Sequence, residues 1–358
     1  MKKIYICHQY DTKSHFEALY CEGVSFGYEV SEYFVLTGAL RRLARGIIKE
    51  RKVIKSVLNY INEMKKIMVF MCLRNEVLVV GLAPYDYTMN IYKYIFNRNY
   101  SIYFTSYTDW DEKNMGFSRG RIENKVKFER ILQENFVGAA CVSEVSTQQI
   151  RKRMKIVGAV GHAIRTDEYS KKGNTDRKNR VIYLGQLKER KNIDILLEWF
   201  SRNNSQGLVI DFVGMGNLQH KVEVYSQKYQ TINYLGSMSK KDIKKKLKNY
   251  DFLILPSIEE PFGIVLLEAL ASGVPCIASN TVGPSEIIVD GFNGFLFDLE
   301  GGREEKNFVN TMKRVLNVSD DEYIKMVLNS LESGKKYDVK EVIMKWDNLI
   351  TKAIEEVD

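Results

Sequence analysis

From residue 180 onward, short apolar runs rich in β-branched and aromatic residues alternate with longer stretches whose apolar residues recur at helical spacing. VIYLG (181–185) precedes KNIDILLEWF, LVIDFVG (208–214) precedes NLQHKVEVYSQKY, and INYLG (232–236) precedes KKDIKKKLKNY. DFLILPS (251–257) then precedes FGIVLLEALASG, and VPCIAS (274–279) follows. None of these runs alternates cleanly between apolar and polar positions, so each needs cover on both faces. A helix between successive runs supplies that cover and makes each connection a crossover, which sets the strands parallel. The second half is therefore a doubly wound α/β domain.

The first half repeats the plan less regularly, with candidate strands at 3–8, 28–36, 76–82, 101–107 and 137–143. Between the halves, RTDEYSKKGNTDRKNR (165–180) is polar and lacks apolar periodicity, as a linker does. The expected division is a first domain over 1–165, a linker over 166–179, a second domain over 180–335, and a C-terminal helix over 336–358 that returns toward the first domain. With 358 residues the chain can bury two cores.

Composition narrows the chemistry. Cys7, Cys21, Cys72, Cys141 and Cys276 are odd in number and contain no CxxC pair, which fits free thiols in a reducing compartment. His8, His15, His162 and His220 show no metal-ligand spacing, so no metal is expected. No apolar run approaches the roughly 20 residues of a membrane span. Residues 1–165 carry 26 Lys and Arg against 16 Asp and Glu, and the remainder carries 27 against 29, so the positive charge belongs to the first half.

Within the second half, PSIEEPFGIVLLEALASGVPCIAS (256–279) sets Glu260 and Glu268 in almost wholly apolar surroundings. FLIL reads as a buried strand, 256–261 as the turn leaving its C-terminal end, and 263–272 as a helix stopped by Gly273. Ligands of open parallel sheets lie beyond the carboxyl ends of the strands, which is where this places Glu260. Glu268 lies in a helix apolar nearly all round, where a carboxylate costs several kcal/mol unless something satisfies it. Its side chain leans toward the helix N-terminus, within reach of a hydroxyl-rich ligand at the same mouth. The amides of Phe262, Gly263 and Ile264 at the helix start offer donors to an anion. A surface glutamate, or one paired with a core lysine, is the plainer alternative.

The whole stretch, followed by TVGPSEIIVDGFNGFLF, resembles the family 4 glycosyltransferases of the GT-B fold, whose E-x7-E motif Glu260 and Glu268 match. YLGQLKERKN (183–192), FVGMGNL (212–218) and YLGSMSKKDI (234–243) resemble the family's other stations in order, and the resemblance spans about residues 180–300. FGYEV (26–30) and VGAACVSEVSTQQI (137–150) are weaker counterparts in the first half. The resemblance implies two Rossmann-like domains facing a central cleft, the donor in the second and the acceptor in the first. It implies a nucleotide-sugar co-substrate, a UDP-sugar favoured, and no further cofactor. Lys191 and Glu260 are the implied catalytic residues, and Gln186, Gly236, Ser237, Met238, Phe262, Gly263, Ile264, Glu268 and Gly283 the implied donor contacts. Pro284 and Glu286 would line the same cleft. By resemblance the reaction retains anomeric configuration, and the departing phosphate takes the acceptor's proton.

The chain departs from the family in three places. Gln186 stands where the family usually has Arg; CHQYDTKSHFE (7–17) has no glycine where a Gly-rich loop is usual; and Thr108 precedes Asp109 where a His is usual. Thr108, Asp109, His8 and His15 are candidates for acceptor or sugar positioning, structural histidines being the plainer reading of His8 and His15. FVGMG lacks the third glycine and the acid of a dinucleotide fingerprint, which sets a dehydrogenase aside.

Residues 38–66 carry nine Lys and Arg and two Glu among Leu, Ile and Val at helical intervals. Two readings stay open there: a basic amphipathic helix lying on an anionic membrane, or the solvated face of a helix packed on the sheet. No nucleic-acid module is recognisable. The expected activity is transfer to a glycan or lipid-linked acceptor in bacterial surface polysaccharide or glycolipid synthesis, in the cytoplasm or at the inner face of the plasma membrane. A catalytically silent sugar-nucleotide-binding subunit and a related nucleotide-sugar epimerase are the alternatives.

Overall fold

The computed structural model describes residues 1–8, 16–34, 76–81, 100–105, 133–134, 136–152, 154–173, 177–203, 207–299 and 302–356. The chain divides into two compact units, one made of Met1–Ala163 with Val342–Asp358 and the other of Ile164–Glu341.

In the first unit, β1 (Lys2–His8), β2 (Tyr28–Phe34), β3 (Val77–Gly81), β4 (Tyr100–Thr105), β5 (Gly138–Cys141) and β6 (Ile156–Ala159) form one sheet in the order β2-β1-β3-β4-β5-β6. Every pairing is parallel. Its described helices include α1 (Glu17–Glu22) and α2 (Glu144–Arg151), and most of the C-terminal helix, Val339–Glu355, joins them. The Ser143 hydroxyl caps α2 by accepting from the Ser146 amide at 3.0 Å. Trp346, fully buried, stacks on Phe104 with ring centroids 5.9 Å apart and meets Phe16 at 6.2 Å. Tyr28 donates to Asp347 at 2.6 Å, so the chain's last residues are part of this core. That agrees with the C-terminal helix returning to the first domain.

The second unit holds β7 (Arg180–Leu184), β8 (Val209–Val213), β9 (Ile232–Tyr234), β10 (Phe252–Leu255), β11 (Cys276–Ser279) and β12 (Gly294–Phe297), again all parallel. Their order is β12-β11-β10-β7-β8-β9, the doubly wound arrangement in which the chain starts in the middle, runs to one edge and returns to build the other. Its helices are α3 (Ile193–Arg202), α4 (Gln219–Lys228), α5 (Lys240–Lys246), α6 (Ile264–Ala271), α7 (Val282–Ile287), α8 (Glu304–Asn317) and α9 (Asp320–Lys335); α10 (Val339–Glu355) closes the chain. Tyr183, Phe200, Phe212, Phe252, Phe308 and Tyr323 fill the core with no side chain measurably exposed, as strands covered on both faces require.

The expected linker, 166–179, is not one. Its described residues belong to the second unit, and Tyr169 and Lys172 are buried there. Lys172 forms a buried ion pair with Asp251 at 3.1 Å and donates to the Tyr250 carbonyl at 2.8 Å. Asp251 also accepts from the amides of Lys178 and Arg180 at 2.8 and 3.0 Å. Burial lowers the Lys172 pKa against the pull of Asp251. A polar sequence here reflects buried, satisfied polar groups, which composition does not separate from solvated ones. The unit therefore begins at 164 and ends at 341, where 180 and 335 were expected. Its two ends meet: the Ile164 amide donates to the Tyr337 carbonyl at 3.0 Å, and the Val339 amide to that of Ile164 at 3.1 Å.

Candidate functional site

Between β7 and β10 the direction of winding reverses, so the loops leaving these two strands part and open a crevice above their carboxyl ends. The loop after β7 ends in a short 3₁₀ turn, Glu189–Lys191, and Asn192, in the left-handed region at φ 51°, launches α3. The Ile258 amide, on the loop after β10, donates to the Arg190 carbonyl at 2.9 Å and ties the two loops together. Across this junction the Lys191 ammonium forms an ion pair with the Glu260 carboxylate, the side chains only 10% and 12% exposed.

A third strand supports the pair. The Ser257 hydroxyl lies 3.4 Å from the same Glu260 oxygen that meets Lys191. Ser279, at the end of β11, donates to the Ser257 carbonyl at 2.5 Å. The Glu260 carbonyl accepts from the Gly283 amide at 3.0 Å. Beneath it, Tyr183 gives its hydroxyl to the Gln186 carbonyl at 2.7 Å. Burial, then the charge of Glu260, raises the Tyr183 pKa, so the phenol stays neutral.

Helix α6 starts directly after these residues. No side chain caps it, leaving its first turn open to an external acceptor. Glu268, half-buried, carries a pKa raised by burial, opposed by a hydrogen bond from Tyr169 at 2.9 Å and by Lys240 and Lys244. Phe262 is buried and meets Tyr337 edge-on at 6.0 Å. Gly283 packs flat against it: a Cβ there would lie 2.5 Å from the Phe262 carbonyl carbon, and closer still to its Cα and oxygen.

Lys191 and Glu260 are thus brought into contact; Phe262, Gly263 and Ile264 follow Glu260 along the chain, and the Gly283 amide donates to its carbonyl. Gln186 is exposed on the loop after β7. Gly236, Ser237 and Met238 follow β9, held by the Gly214 amide donating to the Gly236 carbonyl at 2.8 Å. Gly214, at φ 144°, sits where a Cβ would be 2.9 Å from the Gly185 carbonyl carbon, so FVGMG serves loop-on-loop packing. Pro284 and Glu286 fall in α7, and the Glu286 carbonyl accepts from Tyr337 at 3.4 Å. His8 ends β1 in the other unit. His15, Thr108, Asp109 and residues 38–66 lie outside the described residues.

Sequence reasoning missed Tyr169, Ser257 and Ser279. Tyr169 had a signal, being a lone aromatic in a polar run that is 5% exposed in the fold. The two serines had none, because what marks them is the neighbour each meets across the sheet. Among the described residues no three His, Cys, Asp or Glu side chains gather as metal ligands, and no helix is long and apolar enough to cross a membrane.

Residues 165–328 match the family model described as glycosyl transferases group 1. That span contains every element of the crevice. An uncharacterised glycosyltransferase of Methanocaldococcus jannaschii is 30% identical over 175 residues, 46% of this chain and 46% of that protein. The lipopolysaccharide 1,6-galactosyltransferase of Salmonella typhimurium is 30% identical over 150 residues, 40% of this chain and 41% of that one. The chain spans less than half the length of the curated relatives it matches. Anabaena HepE, solved with UDP and glucose, superposes with a TM-score of 0.67 at 14% identity, covering 98% of this chain and 99% of HepE. The two parallel six-stranded sheets and this likeness give the chain a two-domain α/β GT-B fold. Together the matches support a glycosyltransferase.

Proposed function

We propose that the chain is a retaining, metal-independent glycosyltransferase. In this reading it moves a sugar from a nucleotide-sugar donor, a UDP-sugar favoured, to a glycan or lipid-linked acceptor of bacterial surface polysaccharide or glycolipid synthesis. The observation that carries it is the buried Lys191–Glu260 pair at the reversal point of the second sheet. A cation sequestered there, beside an uncapped helix start, suits a diphosphate. The group 1 match over the same residues and the UDP and glucose bound by HepE support it.

On this reading the diphosphate takes Lys191 and the first turn of α6. Glu260, released from the lysine, accepts hydroxyls of the transferred sugar and faces the positive charge that grows at the anomeric carbon. Glu268 takes the ribose hydroxyls. The bond from the anomeric carbon to the phosphate oxygen breaks with its electron pair going to the phosphate. The acceptor oxygen bonds to that carbon on the same face, and its proton passes to the departing phosphate. Groups that meet developing charge contribute most in such a site.

A thermal-shift screen of UDP-, GDP- and ADP-sugars identifies the donor, since a bound ligand raises stability by mass action. With that donor, Lys191→Ala and Glu260→Gln should each lower transfer about 100-fold or more while circular dichroism stays native. Near-normal turnover in both variants refutes the assignment. Release of free nucleotide separates an enzyme from a silent binder, and product analysis without acceptor separates it from an epimerase.

A further inference from the structure

Glu268 is the fifth residue of α6, among Leu266, Leu267, Ala269 and Leu270, all buried. The Tyr169 hydroxyl donates to its Oε1 at 2.9 Å, while among the described residues Oε2 accepts no hydrogen bond. Tyr169 is itself held from several sides. The Lys244 ammonium lies 5.3 Å from its ring centroid, and Lys244 is ion-paired with Glu168, which also takes Arg165. The Ser170 amide donates to the Lys244 carbonyl at 3.0 Å. Residues 165–170 and α5 thus form a bracket that claims one oxygen of a half-buried carboxylate and leaves the other unclaimed.

A tyrosine fixed in this way does more than fill space. Phenylalanine would pack the same site, so the hydroxyl's distinct contribution is to hold Glu268 in one orientation. The charged groups acting on Glu268 are Lys240 and Lys244, both on α5, with Glu168 partly neutralising Lys244.

We infer that Tyr169 is a positioning residue for nucleotide binding: by occupying Oε1 it orients Glu268 so that Oε2 is the oxygen that receives the ribose hydroxyls of a nucleoside diphosphate. The inference rests on the proposed function and adds to it a residue outside the segment where the two glutamates lie. It also ties the start of the second unit to the donor site.

The test is calorimetric titration of wild type and Tyr169→Phe with whichever of UDP, GDP and ADP the wild type binds tightest, and with its 2′,3′-dideoxy analogue. Loss of one such hydrogen bond should weaken binding of the ribonucleotide about fivefold. The dideoxy form should be unaffected, so discrimination between the two shrinks by the same factor. A pH series adds a second readout. Binding through an ionised Glu268 is present above its pKa and lost as pH falls through it. Burial raises that pKa and the Tyr169 hydrogen bond lowers it, so Tyr169→Phe should move the acid-side loss to higher pH. In a Glu268→Gln background the same substitution should move neither readout. Unchanged ribonucleotide affinity and pH profile in Tyr169→Phe overturns the inference, as does an equal loss for both nucleotides, which marks general packing. A folded wild type that binds none of the three overturns the proposed function itself.

Discussion

Lys191 and Glu260 compensate each other's charge inside the fold, so any diphosphate that takes the lysine must displace a carboxylate. That exchange makes a prediction opposite in sign for binding and for chemistry. Glu260→Gln removes the competing charge, so UDP should bind about tenfold tighter than to wild type even as transfer falls, as expected where truncating one partner exposes a buried charge. Calorimetry with UDP alongside turnover checks it, and a weaker or unchanged affinity refutes the exchange. Glu260 was legible from its place in the turn beyond the carboxyl end of an apolar strand, and Lys191 from the family resemblance, as a cation just past such a strand. What sequence did not convey is that they partner each other. Tyr169 stood out as a lone aromatic in a polar run, but its partner, 99 positions away, was not legible.

At the level of elements, the strand and helix that frame the site could be read almost to the residue. FLIL became β10, and α6 ends as Gly273 implies: the amides of Gly273 and Val274 return to the carbonyls of Leu270 and Ala269 at 3.0 and 2.9 Å. The edge strands β6 and β12 were missed. β6 is half-exposed along its whole length, and β12, though apolar, has only four residues and follows a glycine-containing turn rather than a helical stretch. The contact between α7 and the residues before α6 was also invisible, since it depends on a glycine that lacks a side chain. Gly283→Ala forces a methyl group into the Phe262 backbone. The substitution should cost about 1–3 kcal/mol, as overpacking does, and should weaken donor binding because the Glu260 carbonyl loses its fit with the Gly283 amide. Thermal unfolding and donor titration measure the two effects, and a variant matching wild type in both would show that this junction tolerates movement.

Over the whole molecule, the two-layered alternation dictated two Rossmann-like units, and the structure has them. The boundary lies elsewhere than the charged run at 166–179 implies, because Lys172 and Asp251 bury each other rather than face solvent. Residues 164–341 start and finish side by side, with Ile164 bonded to Tyr337 and Val339, and Thr166 donating to Asp338 at 2.5 Å. Closing such a segment on itself costs little entropy, and it holds its own core. Expressed alone, it should fold and bind UDP within about threefold of the full chain, while transferring no sugar; an unfolded product, by circular dichroism, would refute this. Because the chain enters and leaves this unit at neighbouring points, the unit that would hold the nucleotide on the proposed reading should be excisable and graftable as a cassette, leaving its host to supply a different acceptor.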